Sequence, residues 1–181
     1  KLDLSGTLQW ATTVGSTNGE TEEAFSVAQT SDGGYIVGGN TSWVSGADFL
    51  IVKLDSDGNL SWARTFGGPR VEVVVPSIIQ TSDGGYAFTG NTNSFDDPVA
   101  ADIIVVKLDP NGELNWARTF GSLNNDYENV YSLAQTSDGG YVVSGYTGGL
   151  YGFADFLVFN LAPDGSLRWA RTFGGTNNEN A

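Results

Sequence analysis

Cysteine, histidine and methionine are all absent from this 181-residue sequence. Without cysteine there can be no disulfide framework and no thiolate nucleophile. Without histidine the chain lacks the commonest general base and the commonest transition-metal ligand. The missing methionine indicates that residue 1 is not an initiator, so we expect a processed or truncated N-terminus. Because no other recognisable catalytic motif stands out, we predict that the chain is not an enzyme.

Basic residues are scarce, with 8 Lys and Arg against 21 Asp and Glu and a formal charge of −13. Phosphate binding needs clustered Lys and Arg, so nucleic acid is not an expected partner. The same charge disfavours binding to anionic membrane surfaces. No apolar run approaches the roughly 18–20 residues that span a bilayer, so we expect no membrane insertion.

A repeat of about 53 residues organises the chain. Its clearest markers are the tryptophans Trp10, Trp62, Trp116 and Trp169, which fall 52, 54 and 53 residues apart. Three of them begin the sequence Trp-Ala-Arg-Thr-Phe-Gly, and Gln-Thr-Ser-Asp-Gly-Gly-Tyr recurs from Gln29, Gln80 and Gln135. The single repeat domain therefore divides into a half unit, three complete units and the start of another: 1–15, 23–67, 72–121, 127–174 and 175–181.

Each unit is predicted to contain four short strands and no helix. In the first unit they are Phe25–Thr30, Tyr35–Thr41, Asp48–Asp55 and Leu60–Phe66, joined by turns rich in Asp and Gly. The third strand is apolar at consecutive positions, which is typical of a strand covered on both faces. Four-stranded antiparallel blades stacked in a β-propeller provide such cover, and the period matches a propeller blade. A linear stack of small sheets is the alternative architecture.

The motifs resemble those of the bacterial and archaeal seven-bladed β-propeller repeat family. The matching segments are Asp48 to Asp55, the Asp57-Gly58 turn, Trp62 to Gly68 and Gly85 to Gly90. The resemblance implies blades of a larger ring, completed by the same or another chain, in an extracellular or cell-surface protein. It does not by itself imply an activity.

Residues that recur in every unit are expected to build the blade. Trp62, Arg64 and Phe66 share one strand face, so we predict that the arginine packs along the aromatic rings and meets a carboxylate. The aspartate that opens the third strand is the expected partner. The recurring structural positions are Trp10, Trp62, Trp116, Trp169, Arg64, Arg118, Arg171, Asp48, Asp102 and Asp155.

No cofactor is expected, although Asp55-Ser56-Asp57-Gly58-Asn59 resembles the opening of a calcium loop. A distal glutamate at EF-hand spacing is missing, so a hydrogen-bonded turn is favoured over Ca²⁺. The carboxylate pairs Glu22-Glu23, Asp96-Asp97 and Asp126 with Glu128 fall in predicted loops or at loop edges. They are interpreted as solvated charges, not as the facing pair that glycoside hydrolysis requires.

Ligand recognition is predicted where the units differ, in the connection after the second strand. Each copy carries an aromatic residue of a kind enriched at recognition surfaces. The candidate ligand-binding residues for a protein or a glycan are Trp43, Phe95, Asp96, Asp97, Tyr151 and Phe153.

Together these features predict a non-catalytic propeller module of a secreted or cell-surface protein that acts as a scaffold for protein or surface interactions. One alternative is a propeller that binds or cleaves glycans. A second is a self-assembling extracellular structural subunit.

Overall fold

The computed structural model describes residues 1–15, 20–43, 46–68, 70–94, 101–121, 127–148 and 154–174. Twelve strands form three four-stranded antiparallel sheets, here called sheets I, II and III in chain order. Sheet I contains β1 (Thr21–Gln29), β2 (Tyr35–Trp43), β3 (Gly46–Leu54) and β4 (Leu60–Phe66). Sheet II contains β5 (Glu72–Gln80), β6 (Tyr86–Thr92), β7 (Asp102–Leu108) and β8 (Leu114–Phe120). Sheet III contains β9 (Tyr127–Gln135), β10 (Tyr141–Gly148), β11 (Ala154–Leu161) and β12 (Leu167–Phe173).

The prediction of an all-β chain built from antiparallel four-stranded units is confirmed. In the parts of the chain that the structure describes there is no helix, and hence none that is long and apolar enough to cross a membrane. Each sheet is a simple meander in which consecutive strands pair. The first and the last hairpin of each sheet turn within five residues, because a glycine such as Gly33 or Gly58 supplies the positive φ that closes the turn.

The sheets stack face to face in chain order, and each interface encloses an apolar core. The core between sheets I and II includes Ile36, Phe49 and Phe88, while the one between sheets II and III includes Val105 and Phe159. All seven residues of β7 are buried. The prediction that the third strand is covered on both faces is therefore confirmed for the middle sheet.

A tryptophan from each unit packs against the following unit. Trp62 meets Tyr86 edge-on with a centroid distance of 5.7 Å. A Cβ atom on Gly112, at φ 82°, would come within 2.9 Å of the same indole. Trp116 repeats this arrangement on sheet III, and Trp10 repeats it on sheet I. We call the contact of one tryptophan with the next unit's tyrosine and turn glycine the tryptophan lock.

Two hydrogen bonds also recur between the first hairpins of successive sheets. The amide N–H of Ser31 donates to Oε1 of Gln80 in sheet II, and Ser82 donates in the same way to Gln135 in sheet III. Within the first strands, a serine hydroxyl accepts a hydrogen bond from a backbone N–H of the following sheet. Ile78 donates to Ser26, and Leu133 donates to Ser77. The two interfaces therefore have the same chemistry.

The recurring arginine faces the next sheet, but its predicted partner is wrong. As predicted, Trp62, Arg64 and Phe66 share a face, since Phe66 packs on Phe88 and the Arg64 guanidinium lies 5.8 Å from the Trp62 ring. The guanidinium pairs with Glu113 of sheet II at 3.2 Å, not with Asp48. The reason is that this strand face points across the interface, whereas Asp48 lies against Gly67 at the end of its own sheet.

The tryptophan lock predicts different costs for two glycine substitutions in sheet II. Gly84 and Gly112 have φ values of 83° and 82°, but the nearest atom to a Cβ on Gly84 is 3.8 Å away. Gly84→Ala should cost about 1 kcal/mol of unfolding free energy, from the left-handed conformation alone. Gly112→Ala should cost a further 1–3 kcal/mol or so, because the methyl group displaces the indole. Urea unfolding of both variants measures the difference, and equal losses would contradict the lock.

Candidate functional site

A row of buried or partly buried carboxylates lies at one end of each sheet. In sheet II, Glu72 of β5 is in register with Thr92 of β6, which is in register with Asp102 of β7. Glu72 is fully buried and accepts a hydrogen bond from the Gly68 amide of sheet I at 3.1 Å. The equivalent rows are Glu22, Thr41 and Asp48 in sheet I and Glu128, Thr147 and Asp155 in sheet III. Because the row recurs in every unit and links neighbouring sheets, it is structural.

These rows correct the interpretation of Glu22 and Glu128 as solvated charges in loops. Both lie within first strands, and Glu128 is almost completely buried. The physical reason is the neighbouring threonine: the carboxylate of Glu128 accepts a hydrogen bond from the Thr147 hydroxyl at 3.3 Å. A glutamate that pairs in this way can continue a strand that its charge alone would not favour.

An ion pair closes the first hairpin of each sheet. Lys53 binds Asp32 at 2.8 Å, and Lys107 binds Asp83 at 2.9 Å. Sheet III has Asn160 at the lysine position, and the charge comes instead from Arg168 on the adjacent strand, which binds Asp138 at 2.6 Å. The ion pair is thus preserved although the residue that supplies the cation has moved.

These partners hold the three aspartates in the ionised form. Burial raises the pKa of Asp83, but hydrogen bonds from Thr81 and Lys107 outweigh it and bring the pKa down to about 2. For Asp138 the hydrogen bond from Thr136, followed by that from Arg168, lowers the pKa to about 2. The hydrogen bond from Lys53 lowers the pKa of Asp32 still further.

The depressed pKa values predict a loss of stability in acid. Each aspartate has a lower pKa in the folded chain than its value of about 3.9 in an unfolded one. Its contribution is therefore complete above about pH 4 and disappears as the pH falls through about 2. Asp83→Asn should make the free energy of unfolding less dependent on pH in this window, as measured by urea unfolding at several pH values. Asp57→Asn, which changes an exposed carboxylate outside the ion pairs, is the control. An unchanged pH dependence in Asp83→Asn would contradict the assignment.

The aspartate turns that resemble calcium loops use their carboxylate oxygens for their own backbone. Oδ1 of Asp55 accepts from the amides of Asp57 and Asn59, both at 2.9 Å. Asp109 accepts in the same way from Asn111 and Glu113. Across the described ranges, no group of three or more acidic, His or Cys side chains is placed to hold a metal ion.

The predicted ligand-binding residues fall almost entirely outside the described parts of the chain. Phe95, Asp96, Asp97, Tyr151 and Phe153 lie in segments 95–100 and 149–153, which the structure does not describe. Trp43 is the last residue of β2. That set of residues stays a prediction.

A tyrosine-lined groove lies over the first strand of sheet III. It has a volume of about 380 Å³ and is bounded on one side by Pro76 and Asn91 of sheet II. Its other side carries the rings of Tyr127, Tyr131 and Tyr146. The rings of Tyr131 and Tyr146 are in contact, with their centroids 5.8 Å apart and their planes tilted by 44°, and Asn129 donates a hydrogen bond to the Tyr146 hydroxyl at 3.5 Å. We call this feature the tyrosine groove.

The backbone around the groove is fixed by a side-chain amide and a bulge. Asn91 of sheet II donates to the Glu128 carbonyl at 2.6 Å and accepts from the Val130 amide at 3.4 Å. It therefore ties β9 to the preceding sheet on both sides of Asn129. The register then shifts so that Tyr131 is left unpaired, at a β-bulge that turns its ring outward. Bulges with this effect are common beside binding and active sites.

The tyrosine groove was missed because its residues lie on strands. Variation between units was sought only in the loops, yet Tyr146 occupies the position of Asn40 and Asn91 in the other sheets. Tyr131 likewise stands where the other units have Phe25 and Pro76. The same comparison between units, applied to strand positions, would have identified both tyrosines.

Comparison with known proteins gives a likeness of fold and no family. No family model and no curated protein matches the chain. A mutant of Synechocystis apocarotenoid oxygenase is similar, with 13% identity, a TM-score of 0.43 and coverage of 81% of this chain and 37% of that one. A chimera of ACO and RPE65 has 13% identity, a TM-score of 0.41 and coverage of 77% and 35%. The chain thus spans little more than a third of the length of these structures.

These structures correct the predicted function. The chain was expected to be a non-catalytic scaffold module of a secreted or cell-surface protein, yet the similar solved structures are of an oxygenase. The prediction of a non-catalytic scaffold is withdrawn. The glycan-related and self-assembling alternatives are set aside with it. At 13% identity the likeness assigns no activity to this chain.

Proposed function

We propose that the three sheets are consecutive blades of a β-propeller and that the tyrosine groove binds a small organic ligand beside its axis. Two observations support the propeller. The first strands pack side by side, β5 against both β1 and β9. Successive sheets also repeat the same interface, down to the tryptophan lock and the serine hydrogen bonds. Identical interfaces between consecutive units generate a regular array around or along an axis.

The contacting pair of Tyr131 and Tyr146 is the observation that carries the ligand-binding function. Large exposed rings are costly to leave in water, and they are enriched where a partner with an apolar face binds. The groove they line is concave and bounded by sheets on both sides, so the rings are held in place before a ligand arrives.

A further sheet packed on sheet III would leave the Tyr131 ring at the bulge exposed. Phe25 occupies the corresponding bulge in sheet I, and it is still exposed although sheet II packs against that sheet. The packing of a following sheet therefore leaves this bulge position exposed in sheet I. Tyr131 would remain available to a ligand in a larger ring.

The lining defines the class of ligand. Tyrosine rings offer flat apolar faces, while the tyrosine hydroxyls and the Asn129 amide provide hydrogen bonds at the margins. The formal charge of −13 disfavours an anion. A compound with a flat ring and no negative charge fits these properties best.

Binding of the neutral fluorescent probe N-phenyl-1-naphthylamine tests this function. The intact chain should enhance the fluorescence of the probe in a saturable manner. Tyr131→Ala should raise the dissociation constant about tenfold, since loss of one aromatic contact costs roughly 1–1.5 kcal/mol.

Phe25→Ala is the matched control, because it removes an aromatic ring at the corresponding bulge of sheet I, outside the tyrosine groove. It should leave the dissociation constant within about twofold of the unmodified chain. Equal affinities for the Tyr131→Ala variant and the unmodified chain, or equal losses in both variants, would contradict binding in the groove.

A further inference from the structure

The last described sheet presents an open face with the composition of a blade interface. Phe156 on β11 is 52% exposed, whereas its counterparts Phe49 and Ile103 in the preceding sheets are 1% and 0% exposed. Trp169 and Phe173 on β12 are exposed as well, and their counterparts on β4 and β8 are partly buried. We call the surface formed by Phe156, Trp169 and Phe173 the terminal face.

Polar groups on this side of sheet III match those that bond across the two observed interfaces. Ser132 occupies the position of Ser26 and Ser77, whose hydroxyls accept a backbone N–H from the following sheet. Unlike Ser26 and Ser77, which are partly buried, Ser132 is exposed. Sheet III therefore presents a hydrogen-bonding group in the place where each earlier interface uses one.

The positive charge of Arg171 on the terminal face indicates which charge the surface that packs on it should carry. Arg64 forms an ion pair with Glu113, in the second turn of the sheet that follows it. Arg118 interacts electrostatically with Asp164, in the second turn of sheet III. Arg171 is the next member of this series and is exposed on the terminal face. The matching surface should therefore carry an acidic residue in its second turn.

We propose that the terminal face is the docking surface for a fourth repeat unit joined to the C-terminal side of the same polypeptide. That unit would supply a tyrosine and a left-handed turn glycine to complete the tryptophan lock with Trp169, and an acidic turn residue to pair with Arg171. It would cover Phe156 as sheet II covers Phe49. The contact is continuous with the two interfaces already present, because it uses the same strand positions of sheet III.

A chain extended by one unit tests the proposal. A copy of residues 72–121, which contains Tyr86, Gly112 and Glu113, is appended after Ala181. The segment 174–181 that would link them has eight residues, whereas the links 67–71 and 121–126 have five and six. Because the chain has no cysteine, Phe156→Cys introduces a single thiol into the terminal face. Its rate of alkylation by iodoacetamide should fall roughly tenfold or more on extension, because a docked face reacts only when it opens.

Leu167→Cys is the matched control on the same sheet. Leu167 is 52% exposed, and its counterparts Leu60 and Leu114 remain 51% and 54% exposed although a sheet follows each of them. Its thiol should react at the same rate in the original and the extended chain. Protection of both positions would indicate general burial and would overturn docking in the proposed register.

Three further results would overturn the proposal. The first is rapid alkylation at Phe156→Cys in the extended chain, whether the added unit is folded but undocked or remains unfolded. The second is protection that persists when the appended copy carries Tyr86→Ala with Glu113→Lys. The third is concentration-dependent protection in the original chain together with a dimer in analytical ultracentrifugation, since the face would then take a second copy.

Discussion

The structure depends on covering the apolar faces of its sheets, which no sheet can do alone. A four-stranded meander buries little by itself, and its third strand is apolar on both sides, so it must be enclosed by neighbours. The tryptophan lock provides this contact in a fixed register. Trp62 lies over a glycine that has no side chain to obstruct the ring, and it meets the ring of Tyr86 edge-on. Register and packing are thus set together, once for each pair of sheets.

The ion pairs of the sheets are preserved even where one of their residues is replaced. The ion pair of the first hairpin needs a cation near the turn aspartate, but not on a particular strand. When asparagine replaces the lysine of β3 and β7 at Asn160, Arg168 on β12 supplies the charge from the adjacent strand. By contrast, the row of Glu72, Thr92 and Asp102 is repeated in every sheet, and in sheet II its glutamate accepts a hydrogen bond from the link to the preceding sheet. Positions that differ between units, such as Tyr146, are therefore the ones free to acquire a ligand.

Much of the fold could be predicted from the sequence because the repeat carries it. The four strands of each unit, their turns and the shared face of Trp62, Arg64 and Phe66 were all recognisable. The extent of β1 was not: it begins at Thr21 instead of Phe25, because a glutamate in register with a threonine continues the strand past a bulge. The partner of Arg64 lies on the next sheet, so no pattern within one unit could reveal it. The groove beside Tyr131 escaped prediction because it forms only when two sheets meet.

Native-state hydrogen exchange of the unmodified chain tests most directly whether the sheets are stable only through their neighbours. If they are, the amides of β6 and β7 in the twice-covered sheet II should open with the highest free energy, and those of β12 on the terminal face with a lower one. Equal and independent protection of all three sheets would show that each is stable by itself, and would contradict this account.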